Sequence, residues 1–201
     1  MAVLPDAEHM DIIEEICLSA FEAGTPNAAF ALTEKIMDHP KLPMHCPYHH
    51  YLIPAVLTTV ACMEEKKDIS VLKKLLKTVR ERAGAIPGGY CGQYGCCGAA
   101  VGAGVFTSVW QSTTPVSKIG WAVGNEITAR CLSSIASVEG PRCCKRVCYL
   151  TLSAALPAIK ELLGISLDPM SAFTCHHHGQ NRECRGEACP FFPSEKNRFI
   201  P

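Results

Sequence analysis

Seven cysteines stand in three short and unusual surroundings. Cys91 and Cys97 belong to the glycine-rich run Cys91-Gly92-Gln93-Tyr94-Gly95-Cys96-Cys97-Gly98, Cys143 and Cys144 to Gly140-Pro141-Arg142-Cys143-Cys144-Lys145-Arg146, and Cys175, Cys184 and Cys189 to a histidine-rich C-terminal stretch. The thiolate is the form of cysteine that binds metals and attacks electrophiles, and the unpaired N–H groups at a helix start favour that form. No Lys, Arg, Asp or Glu occurs between Arg82 and Lys118, so the first of these runs reads as the wall of a dry interior in which one strong charge centre, a metal or cluster, dominates.

Three thiols at 175, 184 and 189 do not close a four-coordinate site, so partners must come from Cys91, Cys97, Cys143 or Cys144. Thiolate-rich sets select zinc or iron–sulfur clusters. The spacings match neither a zinc ribbon nor a regular ferredoxin run, although Cys189-Pro190 resembles the cysteine–proline ending of ferredoxin motifs. Thiols spread over three segments in a helical, uncharged setting favour a 4Fe-4S cluster sunk between helices over a zinc staple, with metal-free reactive thiols third. Arg142, Lys145 and Arg146 flank the doublet; they are expected to lower its thiol pKa, to offset a thiolate-ligated cluster, or to hold an anionic substrate. Cys17, Cys62, Cys131 and Cys148 read as small core hydrophobes, and Cys46 and Cys96 are left open.

Three of the eight histidines, His45, His49 and His50, gather before an apolar helix reaching about Met63. Pro47 more naturally starts that helix, leaving His45 outside it. With Glu126, whose i,i+4 partner is Arg130, His49 and His50 are the candidate proton-transfer groups.

The elements that must position these groups read as helices throughout. Helical periodicity marks Ala7 to Ala23, a second helix opened by Thr25-Pro26 and closed before Pro40, a charged helix from Ile69 to Arg82 capped by Asp68 with Val71, Leu72, Leu75, Leu76 and Val79 inward, Gly98 to about Trp110, Ser117 to Ser137, and the doublet to Leu163 before Gly164. The glycines at 98, 102 and 104 each cost a helix about 1 kcal/mol relative to alanine, so a close neighbour, helix or cofactor, must justify them. The expected fold is all-α, a bundle of about six to seven helices over residues 1–164, with a Cys/His-rich tail over 165–201. That tail has too little apolar periodicity to order itself, and metal ligation is expected to order it.

Nineteen basic and nineteen acidic residues cancel, so charge gives no case for nucleic acid. The uncharged stretch from Ala83 to Ser117 lacks leucine and is interrupted by Pro87, Gly88 and Gly89, which argues against a membrane span. The N-terminus places Asp6 and Glu8 where a secretory signal needs a positive end, and the thirteen cysteines are odd in number. A reducing cytoplasm is expected.

The combination of His49-His50-Tyr51-Leu52-Ile53-Pro54-Ala55, the Cys91 to Ala99 run, Gly140 to Arg146, Asn181-Arg182-Glu183-Cys184 and Cys189-Pro190-Phe191 resembles an uncharacterised cysteine-rich domain of anaerobic archaea and bacteria over residues 45–193. The resemblance implies a domain found alone or beside radical or methyl-transfer enzymes. By position it points to Cys91, Cys97, Cys143, Cys144, Cys175, Cys184 and Cys189 as the shared thiols.

The leading expectation is thus an iron–sulfur protein acting on a small anionic or sulfur-containing substrate at an open cluster iron. The alternatives are a zinc-stabilised or electron-carrying module serving a redox partner protein, marked by complete cysteine ligation, and a sulfur carrier, marked by an exposed Cys143–Cys144 pair.

Overall fold

A computed structural model describes residues 3–24, 28–167 and 173–194. Among these residues lie eight α-helices: α1 (Ala7–Glu22), α2 (Ala29–Met37), α3 (His49–Glu64), α4 (Ile69–Gly84), α5 (Tyr90–Gln93), α6 (Gly98–Trp110), α7 (Trp121–Ala136) and α8 (Cys144–Leu163). The fold is an all-helical bundle. The Thr25-Pro26 start expected for the second helix lies outside the described residues, and the expected sixth helix begins at Trp121 rather than at Ser117.

The hub is α3, buried along nearly its whole length from His49 to Cys62. A helix apolar on every side has no face for water and must be surrounded; α3 packs against α1, α2, α4, α6 and α8. Its threonines need no outside partner, because Thr58 and Thr59 donate to the carbonyls of Pro54 and Ala55 one turn back.

The glycines of α6 are explained by helix contact. A Cβ on Gly102 would lie 2.7 Å from Pro54 Cδ and 2.9 Å from the His50 carbonyl oxygen, and one on Gly104 would lie 2.1 Å from Thr128 Oγ1. The helix is thin so that α3 and α7 can approach it. In α4, Asp68 caps the start by accepting from the Ser70 N–H, and Leu72, Leu76, Val79 and Ala83 face inward. Val71 does not follow them; at 38% exposure it sits outside the buried stripe.

The tail after α8 forms two short 3-10 turns, His177–Gln180 and Gly186–Ala188. It is anchored by aromatic side chains. Phe191 is fully buried and Phe173 packs on it, both against Tyr149 of α8, with Phe30 of α2 completing the aromatic cluster. Isolated aromatics have no periodicity to detect, yet each buries a large area, so the expectation of a tail without apolar anchorage is corrected.

Candidate thiol centre and cavity

The starts of α3, α6 and α8 face one cavity of about 620 Å³, lined among others by His49, His50, Cys91, Cys97, Cys143 and Cys144. Each thiol arrives on a different device. Cys91 lies in the one-turn α5, whose preceding Gly89 takes a left-handed φ of +80°; Cys97 is the N-cap residue of α6; Cys143 is the N-cap of α8 and Cys144 its first residue. A capping residue has extended backbone while its side chain meets the free N–H groups of the first turn. At α8 the Cys143 sulfur takes the place of the usual Ser or Asp oxygen, accepting from the Arg146 N–H.

A second, much smaller void of about 20 Å³ is lined by Cys143, Cys175, Cys184 and Cys189. The sequence-predicted thiols are therefore divided. Cys91, Cys97 and Cys144 face the large cavity alone, Cys175, Cys184 and Cys189 face the small void, and Cys143 borders both. The buried Arg146 also borders both, its guanidinium held by the carbonyls of Glu139 at 3.2 Å and Pro141 at 2.7 Å.

The sulfurs are furnished with donors. Cys143 Sγ accepts from the Arg146 N–H and from Asn181 Nδ2, each at 3.4 Å, and Cys184 Sγ accepts from the Gly186 N–H at 3.4 Å. The N–H of His177 favours the Cys175 thiolate, and those of Ala99 and Ala100 the Cys97 thiolate. Burial nevertheless wins: it pushes Cys97 up to about 11 and Cys175 up to about 12, and it raises Cys143 despite the Arg146 charge and N–H. The expectation that basic neighbours lower the Cys143 pKa is thus corrected. With Cys143 and Cys144 exposed only 7% and 5%, the open doublet required by a sulfur carrier is not present. Such thiols ionise when a cation replaces the proton.

Spacing bears on which cation. A tetrahedral zinc holding sulfurs at about 2.3 Å sets them about 3.8 Å apart. Among the described residues, only Glu34, His176 and His177 bring three or more donor atoms within 4.8 Å of one another. Among the described residues, no three thiols stand that close together.

Two neutral imidazoles complete the cavity. His49 Nδ1 donates to the Cys46 carbonyl at 2.6 Å and His50 Nδ1 to the Ile86 carbonyl at 3.0 Å, which leaves each Nε2 with its lone pair. Burial, the largest cause for each ring, lowers both to about 4. The His50 ring also explains Gly98, where a Cβ would lie 2.1 Å from its Cδ2.

Of the three expected cationic groups, Arg142 and Arg146 line the cavity, whereas Lys145 does not. One position on from Cys144, its side chain leaves on another face of α8, where Nζ donates to the Met37 carbonyl at 3.1 Å and Tyr48 Oη at 3.0 Å. Glu126 is also removed from the cavity; it lies half-exposed on α7 and accepts from Arg130 at 2.8 Å, while Arg130 in turn pairs with Glu161. A surface i,i+4 pair explains it.

Three residues at the site were not among the expected ligands or proton-transfer groups. Cys46 lines the large cavity, and His45 connects the two thiol sets, its Nδ1 3.4 Å from the Cys144 N–H and its Nε2 3.0 Å from Asn181 Oδ1. The signal for Asn181 was its place beside Cys184 in a rare motif; for Cys46 and His45 there was only proximity to His49.

No described helix is long and apolar enough to cross a membrane. No curated protein and no solved structure matches the chain. A family model does, and it reaches back into α1, further than the motifs alone extend. Matched over residues 13–192, the chain belongs to DUF5714, a family of unknown function.

Proposed function

We propose that the chain is an iron–sulfur protein in which Cys91, Cys97 and Cys144 hold a 4Fe-4S cluster at the wall of the large cavity, leaving one iron position to a small anionic or sulfur-containing substrate. The observation that carries this reading is the meeting of three thiols from two segments distant in sequence with two lone-pair-bearing imidazoles around one cavity of about 620 Å³. The donor set fits such a group: soft thiolates select it, and N–H groups face the sulfurs.

A cluster with an open iron supplies Lewis-acid polarisation of whatever binds there. The remaining work belongs to the chain. Arg142 and Arg146, both lining the cavity, attract and hold an anion. His49 and His50, neutral at physiological pH and fixed through Nδ1, accept a proton or hydrogen bond at Nε2. The apolar enclosure keeps bulk water from competing with these contacts.

The Cys143, Cys175, Cys184 and Cys189 set reads as a second and closed centre, because thiols of the chain fill four positions around a void of about 20 Å³. Its role is to fix the tail. A reducing cytoplasm, and the anaerobic setting beside radical or methyl-transfer enzymes that the resemblance implies, suit both centres.

The test is anaerobic purification with iron, acid-labile sulfide and zinc analysis. The reading expects iron and sulfide in equal amounts and lost with Cys97→Ser or Cys144→Ser. Stoichiometric zinc in a colourless protein would replace it.

A further inference from the structure

The one donor group spaced for a single ion among the described residues lies away from the thiols, where the tail meets α2. His176 Nδ1 is 2.7 Å from Glu34 Oε2 and its Nε2 is 2.6 Å from Asp38 Oδ1. The next residue, His177, is buried with its side chain 4% exposed, and its Nε2 stands 3.4 Å from Glu34 Oε1 and 3.8 Å from Asp38 Oδ1. Despite that proximity, His177 Nε2 makes no hydrogen bond. A buried polar nitrogen left unpaired is costly, and here it faces two carboxylates.

A cation resolves the arrangement. An ion about 2.0–2.1 Å from imidazole nitrogen and carboxylate oxygen in tetrahedral geometry sets its donors about 3.3–3.4 Å apart, the separation of His177 Nε2 from Glu34 Oε1. We propose that Glu34, His176 and His177, with Asp38 beside them, bind a divalent cation of the zinc class and so fasten the tail to α2.

The surroundings support the assignment. Glu34 Oε1 accepts from the Tyr149 hydroxyl, the kind of outer contact that orients a ligating carboxylate. His176 and Asp38 are each about half-exposed, at 54% and 50%, and provide the open side through which an ion enters. His176 spans the two carboxylates through its two ring nitrogens, so either nitrogen is placed to reach an ion held between them. Lys145 is near enough to feel the charge of Glu34 and Asp38, but its Nζ donates to the Met37 carbonyl and the Tyr48 hydroxyl and neutralises neither carboxylate directly. Imidazole with carboxylate suits zinc, and the site shares no residue with either thiol set.

The experiment titrates the anaerobically purified, chelator-washed protein with Zn²⁺ against a chromophoric chelator. Wild type is expected to take up one more equivalent than His177→Gln, with Glu34→Gln weakening that equivalent at least about tenfold. Cys184→Ser is expected to keep the equivalent, and His177→Gln to keep its iron. Equal zinc uptake by wild type and His177→Gln would overturn the proposal. So would an extra equivalent lost with Cys184→Ser instead. If circular dichroism shows that His177→Gln does not fold, His176→Gln, on the more exposed ring, gives the same two outcomes. Iron content and zinc uptake are read separately, so failure here is distinguishable from failure of the cluster.

Discussion

Gly98→Ala reports directly on the contact that builds the cavity. The added methyl would lie 2.1 Å from His50 Cδ2 and 2.3 Å from its Nε2, closer than any tolerable contact, and the His50 ring is buried at 3% exposure. Either α6 moves off α3 or the ring swings and loses its 3.0 Å bond to the Ile86 carbonyl. Overpacking costs about 1–3 kcal/mol and a buried polar group left unpaired about 1–3 kcal/mol. Alanine returns up to about 1 kcal/mol of helix propensity. With one of these costs incurred, the expected net loss is about 1–2 kcal/mol in urea unfolding of metal-free protein. Gly92→Ala, where nothing lies within 4 Å, is the matched control and should change stability by less than about 0.5 kcal/mol. In a His50→Ala background the clash has no partner, so Gly98→Ala should cost less than about 1 kcal/mol there. A Gly98→Ala protein as stable as the Gly92→Ala control, or a full cost persisting without His50, would refute the reasoning.

Other expectations concern charge and ligation. Because His49 and His50 titrate near 4 when folded and near 6.5 when unfolded, the unfolded chain binds more protons between those values. Stability of metal-free protein should therefore fall as pH drops through that window, by about 2 kcal/mol per histidine from pH 7 to pH 5 at most. Denaturant midpoints measured at the two pH values test this, and His49→Gln should flatten the slope; a midpoint equal at both would contradict it. Lys145→Ala should lose about 2–4 kcal/mol, since the Met37 carbonyl and the Tyr48 hydroxyl are left without their buried partner, while bound iron is unchanged. Glu126→Gln should leave metal content intact and shift stability by less than about 1 kcal/mol, as expected of a surface pair. Metal loading at the raised Cys97, Cys143 and Cys175 thiols should release protons and weaken as pH falls, measurable by titration in two buffers of different ionisation enthalpy.

Much of the bundle was legible because helical signals are local. Asp68 before Ile69 and Gly164 after Leu163 act at the ends of α4 and α8 as their types suggest. The stripe at Leu72, Leu76 and Val79 faces inward, while Val71 shows that an apolar type does not determine which side of a stripe's edge a residue takes. The start of α7 was misplaced because Ile119, apolar in type, is 89% exposed, so its hydrophobicity carried no helical register.

For the site, residue type identified the thiols but not their partition. That Cys143 would border both groups, or that Lys145 would turn away from Cys144 toward α2, depends on how α8 is rotated against α2 and α3. Of the three roles expected for the basic neighbours, a lowered pKa fails at Cys143 for a related reason: neighbouring charges are written in the sequence, whereas burial is a property of the packed chain. Glu34, distant in sequence from His176 and His177, could be joined to them only by the fold.

The central claim is tested most directly by anomalous diffraction at the iron edge from crystals grown without oxygen. The account predicts an iron peak against Cys91, Cys97 and Cys144, on the cavity that His49 and His50 line. No iron at those three sulfurs, or a zinc-edge peak in its place, would contradict it.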